Sequence, residues 1–213
     1  MSNQRKISRL LSLMLRHRPD EFGLTIDTCG FVPLAQAVQA VKERYEEVEE
    51  ADVMALIRSP DQHRFEVTER GIRALYGHSF FVEMDGPPMT PPETLYIGAT
   101  AAVARRYREE GITPGDRFYV HLSRSRAAAE ERSREEAGPV VVEVQALKAS
   151  QAGIEFYERG EVILTRHVPP QFVGQTHGAA APTQAGSADG PFWRPPPRTQ
   201  VTYGRKLRKD TRR

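Results

Sequence analysis

Ile7-Ser8-Arg9-Leu10-Leu11-Ser12-Leu13-Met14-Leu15-Arg16-His17-Arg18-Pro19 is the stretch on which the reading of this chain turns. Ile7, Leu10, Leu11, Met14 and Leu15 recur at i, i+3, i+4, i+7 and i+8, which predicts a helix with one continuous apolar stripe that needs a core to pack on. Arg16 and His17 fall in its last turn, and Pro19 disfavours helical geometry at Arg18, so the helix should stop close to the Arg-His pair. Two strong donors are then carried at the end of a rigid element, an arrangement suited to holding an anion. The same residues also favour the helix macrodipole, so taken alone they fit an ordinary helix end equally well.

Around this stretch lies a chain of 213 residues, 39% hydrophobic, enough for one large domain or two small ones with real cores. Cys29 is its single cysteine, which excludes an intramolecular disulfide and zinc sites built on paired cysteines, and no metal is expected. No apolar run approaches membrane-spanning length and the N-terminus lacks the apolar core of a secretory signal, so the expectation is a cytoplasmic protein with no membrane among its partners. The net charge of +2 is unevenly placed. From Thr176 onward eight Arg and Lys face two Asp, a net of +6 that leaves about −4 for the body. A polyanion bound by the body must therefore meet a local cluster of cations, while the tail can add salt-sensitive affinity for nucleic acid.

Residues 27–30 read as a turn. Leu34, Ala37, Val38 and Val41 are spaced for a second helix, and Val53, Leu56 and Ile57 for a third that Pro60 ends, after an acidic connection over residues 46–52. Residues 64–67 and 72–76 alternate in character around Thr68-Glu69-Arg70-Gly71, which predicts a hairpin. Three helices and a hairpin suggest a winged-helix module, placed here at residues 1–84. Such modules commonly bind nucleic acid, but the second helix carries Gln36, Gln39 and Lys42 with no cluster of Arg or Lys, which weakens a major-groove role.

Asp85-Gly86-Pro87-Pro88-Met89-Thr90-Pro91-Pro92 is a Pro-rich joint, residues 85–92, where no ladder can continue. Beyond it strands alternate with helices: a strand at 94–97, a helix at 101–110, a strand at 117–122, a helix at 124–136, a strand at 139–144, and short strands at 155–157 and 162–165. This second lobe, residues 93–175, is mixed, the whole chain reads as α+β, and no Gly-x-Gly-x-x-Gly follows any strand. Residues 176–213 lack apolar periodicity and read as a disordered basic tail, with Phe192 and Trp193 as a short contact.

Six scattered pieces then carry a resemblance. Leu15-Arg16-His17-Arg18-Pro19, His63-Arg64-Phe65, Tyr76-Gly77-His78-Ser79, Pro91-Pro92-Glu93-Thr94-Leu95-Tyr96, Gly115-Asp116-Arg117-Phe118-Tyr119-Val120-His121-Leu122-Ser123 and His167-Val168-Pro169-Pro170-Gln171-Phe172 stand in the order and spacing of the RNA 2'-phosphotransferase family. From about Ile7 to Phe172 the chain resembles it. The resemblance implies a winged-helix lobe and an ADP-ribosyltransferase-like lobe with the active site in the cleft between them. It implies removal of an internal RNA 2'-monophosphate, as at a ligated tRNA splice junction, with NAD consumed as co-substrate. The route passes through a 2'-phospho-ADP-ribosylated RNA to nicotinamide and ADP-ribose 1'',2''-cyclic phosphate. It implies a tetrad, here Arg16, His17, Arg64 and Arg117, on the phosphate, with His78 lining the cleft or joining the lobes. For NAD it points to Tyr96, Gly98, Thr100, His121 and Ser123, and a monomer is expected. Two departures stand out: Ile97-Gly98-Ala99-Thr100 where the family usually has His-Gly-Thr, and Gln62 where a lysine commonly precedes the third tetrad residue.

The chemistry accounts for such a tetrad. A 2'-monophosphate carries nearly two negative charges, and arginine offers a planar fork that stays charged and fits phosphate oxygens in pairs. Attack by an already anionic phosphate oxygen with loss of neutral nicotinamide calls for positioning and charge stabilisation. The second displacement, with an RNA 2' oxygen leaving, also calls for a proton carrier, a role open to His17. Two other readings compete: an ADP-ribosyltransferase that caps phosphorylated RNA or DNA ends, and a non-catalytic winged-helix regulator.

Overall fold

A computed structural model describes residues 3–60, 62–134 and 139–178. The described residues divide into two compact units, one over residues 3–83 and the other over residues 84–178. Each has its own apolar core.

In the first unit, helix α1 (Asn3–Arg16) buries all five residues of its apolar stripe, Ile7, Leu10, Leu11, Met14 and Leu15. At roughly 1.5–3 kcal/mol for each large apolar side chain removed from water, this helix is a principal contributor to the core. It packs on α2 (Leu34–Arg44), which buries Ala37, Val38, Ala40 and Val41, and on α3 (Glu50–Ile57), which buries Val53 and Leu56. Helix α3 begins inside the acidic connection because Glu49 and Asp52 form a capping box there, satisfying two amides at the positive end of the helix.

The hairpin pairs β1 (Phe65–Thr68) with β2 (Gly71–Ala74). Its strands run into the expected turn, leaving Glu69-Arg70 as a two-residue connection. A third extended piece joins through Val32, which exchanges two backbone hydrogen bonds with Ile72 (2.9 and 2.8 Å). At Gly71, φ is +123° and a Cβ would stand 2.1 Å from the Val32 carbonyl oxygen, so this close strand approach requires glycine.

The second unit is built on two three-stranded antiparallel sheets. In one, β3 (Leu95–Thr100) pairs with β5 (Pro139–Val144), which pairs with β8 (Val173–His177); in the other, β4 (Val120–Leu122) pairs with β7 (Val162–Thr165), which pairs with β6 (Tyr157–Arg159). A Tyr96–Ser123 bridge links β3 to the residue after β4. Helices α4 (Ala101–Glu110), α5 (Arg126–Arg132) and α6 (Ala146–Gln151) complete it, around Leu95, Ile112, Leu122, Val144, Phe156 and Ile163.

Several elements differ from their sequence expectation. The strand expected from Arg117 begins only at Val120, because Pro114 and Gly115 (φ +58°) close a turn in which the Arg117 amide donates to the Pro114 carbonyl (3.0 Å). Helix α5 is short: Ser125 caps its start, and the Ser133 hydroxyl donates back to Ala129 O (3.0 Å) as it ends. The strand expected at 155–157 lies two residues later, since fully buried Phe156 bridges to Met89 instead. Helix α6 and strand β8 have no counterpart in the sequence pattern, and β8 takes Thr176 and His177 out of the expected tail. Those two residues pair with Val142 and Val141, and His177 Nε2 meets Glu143 Oε1 at 2.7 Å. The disorder expected beyond them, with the Phe192-Trp193 contact, lies outside the described residues.

The Pro-rich segment is tied to the second unit. Met89 bridges to Phe156, and the Arg159 guanidinium binds both the carbonyl and the carboxylate of Asp85 at 2.7 Å. Among the described residues, no helix is long and apolar enough to cross a membrane.

Candidate functional site

In the first unit, three of the motif pieces meet at the C-terminal end of α1. The amides of His17 and Arg18 both donate to the Leu13 carbonyl (3.1 and 2.9 Å), which closes the helix. The Arg16 carbonyl accepts from both the amide (2.9 Å) and the hydroxyl (3.2 Å) of Ser79. The segment Tyr76-Gly77-His78-Ser79 is thereby strapped across the helix end.

The Arg16 side chain rests on aromatic rings. Its guanidinium carbon is 4.8 Å from the Tyr76 ring centroid and 5.7 Å from that of Phe65. Cation–π attraction of roughly 0.5–2 kcal/mol per favourable ring holds the charge without neutralising it. Gly77 (φ +85°) lies alongside, and a Cβ there would stand 3.4 Å from Arg16 Nη1. His78 packs edge-on against Phe80, ring centroids 5.4 Å apart. His17 is half-buried next to Arg16.

Arg64 stands immediately before Phe65, at the bend that leads into the strand seating Arg16. Its backbone is held on two sides. The Leu75 amide donates to the Arg64 carbonyl (2.8 Å), and the Gln62 side-chain oxygen accepts from the amides of Arg64 and Phe65. The Arg64 side chain is exposed.

The second unit holds Arg117 and the residues that the resemblance points to for NAD. Arg117 is exposed in the turn before β4; the surrounding protein lowers its pKa against the opposing pull of Asp116, and a guanidinium stays charged regardless. Tyr96 and Ser123 exchange backbone hydrogen bonds at 2.9 and 2.8 Å, with half-buried His121 two residues before Ser123. The Nδ1–H of His121 donates to the Tyr119 carbonyl (3.0 Å), the tautomer that makes Nε2 an acceptor. Tyr96, His121 and Ser123 are thus gathered where the two sheets join.

Gly98 and Thr100 serve the protein's own packing. A Cβ on Gly98 would fall 2.3 Å from Ser133 Oγ and 2.8 Å from the Ala129 carbonyl, so the absence of a side chain there admits α5. The Thr100 hydroxyl accepts from the Val103 amide (3.3 Å) as the N-cap of α4.

Sequence reasoning missed the aromatic seat of Arg16 and the part played by Gln62. The hairpin register holds the signal for the first: Phe65 faces Ala74, and Tyr76 lies two residues on, hence on the same side of an extended chain.

A guanidinium seated at a helix end, with a second arginine just before the adjoining strand, is an arrangement chemically able to hold a phosphate, here on an α+β scaffold. Residues 2–167 match the model of the RNA 2'-phosphotransferase, Tpt1 / KptA family. A probable RNA 2'-phosphotransferase of Rhizobium rhizogenes is 36% identical over 180 residues, covering 84% of this chain and 97% of that protein. Similar proteins from Acetivibrio thermocellus (34% identical, 79% of this chain and 94% of that protein) and Archaeoglobus fulgidus (35%, 79% of each) carry the same description. The chain belongs to the RNA 2'-phosphotransferase family and is a transferase, which sets aside the reading of a non-catalytic regulator.

Proposed function

We propose that this protein removes an internal 2'-phosphate from RNA, of the kind left at a tRNA splice junction, in two NAD-dependent steps. The products are 2'-hydroxyl RNA, nicotinamide and ADP-ribose 1'',2''-cyclic phosphate. The observation that carries the reading is the seating of Arg16 on Tyr76 and on Phe65, the residue that follows Arg64, in a chain of this family.

In this reading the 2'-phosphate is held by Arg16, His17, Arg64 and Arg117. Three guanidiniums offset its two charges and fix its oxygens in line for attack. NAD, when bound, supplies an electrophilic ribose carbon and nicotinamide as a neutral leaving group. Tyr96, His121 and Ser123 suit a dinucleotide: Tyr96 offers a ring and a phenol, with His121 and Ser123 gathered near it where the sheets join. The contribution assigned to Gly98 is indirect, since the space beside it is filled by α5. In the second displacement the arginines stabilise charge on phosphorus, while His17 donates a proton towards the leaving 2' oxygen.

The first unit is read as a winged helix, supported by three helices, a hairpin and the Val32–Ile72 bridge, and the second as an ADP-ribosyltransferase-like lobe, supported by its two linked antiparallel sheets. The protein is read as a monomer. The test is incubation with a 2'-phosphorylated oligoribonucleotide, with and without NAD, following phosphate loss. NAD-dependent loss with a cyclic phosphate product is expected. Loss without NAD overturns the cofactor assignment, and accumulation of ADP-ribosylated RNA without turnover favours the end-capping reading.

A further inference from the structure

Helix α1 carries four cations, Arg5, Lys6, Arg9 and Arg16, and no Asp or Glu. Arg5 and Lys6 lie in its first turn, the positive end of the helix, where a cation is locally unfavourable and an acid would be the stabilising choice. Lys6 lies over the Tyr45 ring, 5.9 Å from its centroid, but nothing in the requirements of the helix itself explains Arg5. Both cations also run against the charge of the chain up to residue 175, which is net negative.

The three arginines share one face. At 3.6 residues per turn, Arg5, Arg9, Ser12 and Arg16 fall within an arc of about 60° on one face and span about 16 Å along the axis. This face is opposite the buried stripe of Ile7, Leu11 and Met14. Arg5 and Arg9 are exposed, Ser12 is half-buried, and the row ends at the seated Arg16. Leu13, between Arg9 and Arg16 on the flank of the row, is 37% exposed.

We propose that this face of α1 is a track for the RNA backbone leading to the phosphate site. Arg5 and Arg9 contact phosphates of nucleotides flanking the 2'-phosphorylated one, Ser12 adds a hydrogen bond, and Leu13 lies against a ribose or base. The proposal rests on the function read above, since it takes Arg16 as the end of the track. A sugar-phosphate backbone is the partner that an acid-free row of guanidiniums on one helix face fits, because each fork binds phosphate oxygens and none reads a base. The track therefore confers affinity for longer RNA without sequence preference.

The test compares the full-length chain with an Arg5→Gln/Arg9→Gln variant, which keeps residues of good helix propensity on an exposed face. Binding to a 2'-phosphorylated oligoribonucleotide with flanking nucleotides is measured without NAD across a salt series, and turnover is measured on a 2'-phosphorylated dinucleotide. The variant should bind the long RNA about tenfold more weakly at low salt. Its salt slope should fall by about 1.4, at about 0.7 for each single-strand phosphate that is no longer neutralised. Turnover of the dinucleotide should be unchanged. An Arg105→Gln/Arg106→Gln variant, which removes the same charge from exposed positions of α4, should behave as the parent protein. Unchanged long-RNA binding in the α1 variant, an equal loss on the dinucleotide, or an equal effect of the α4 variant would each overturn the track. Absence of NAD-dependent turnover in the parent protein would instead overturn the reading on which it rests, while the salt series stands apart from that outcome.

Discussion

The guanidinium of Arg16 lies over the ring of Tyr76, 4.8 Å from its centroid, although sixty residues of chain separate the two. The contact joins the end of the first helix to the segment after the hairpin, and it fixes a charge without consuming it. In the proposed site Tyr76 is a positioning residue. Tyr76→Phe keeps the ring and should retain nearly full activity. Tyr76→Leu loses the ring face and should lower kcat about tenfold beyond any change in thermal stability. Equal activity in the two variants would show that the ring does not orient Arg16.

Arg64 is exposed, so its removal leaves no cavity. Arg64→Ala should cut kcat/KM about 100-fold or more, the usual scale for losing one preorganised donor to a transition-state charge. Its unfolding midpoint should stay within error of the parent. Unchanged turnover in this variant would remove Arg64 from the site.

Gln62 holds the backbone at Arg64 and Phe65 through its side-chain oxygen. Gln62→Ala removes that acceptor and should cost roughly 1 kcal/mol of stability together with a loss in kcat. Gln62→Glu retains the acceptor and should recover the stability, measured by denaturant unfolding. If Gln62→Glu is as unstable as Gln62→Ala, the side-chain oxygen does not brace this backbone.

Gly98→Ala would drive a methyl group into Ser133 and the Ala129 carbonyl. A loss of about 1–3 kcal/mol is expected from this overpacking, and Ser133→Gly in the same chain should restore part of it. A fully stable Gly98→Ala protein would mean that α5 does not pack on β3 at this distance.

Strand β8 sets where the chain can be cut. Ending the chain after Gly178 should leave turnover of a short RNA nearly unchanged. Ending it before Val173 removes the partner of β5 over Val141, Val142 and Val144 and should destabilise the second unit. Equal unfolding midpoints for the two truncations would show that β8 adds nothing.

By itself the sequence determined the helices and strands whose apolar period is strong. The stripe from Ile7 to Leu15, the face of α2 and helix α4 over Ala101–Glu110 follow from periodicity, because burial of a fixed face demands it, while strands β5 and β7 follow from short apolar runs buried on both faces. Residue order also carried the family, since six spaced motifs are local facts. Strand β8, Val-Gly-Gln-Thr-His, has no alternation to read and exists because β5 offers an edge. Only the tertiary structure decided what each chemically marked residue touches. It set Arg16 on Tyr76 and Phe65, placed Gln62 behind Arg64, and turned Gly98 and Thr100 to internal packing and capping. The physical reason is that a side chain's partners depend on strand register and on contacts between distant segments, which a one-dimensional period does not encode.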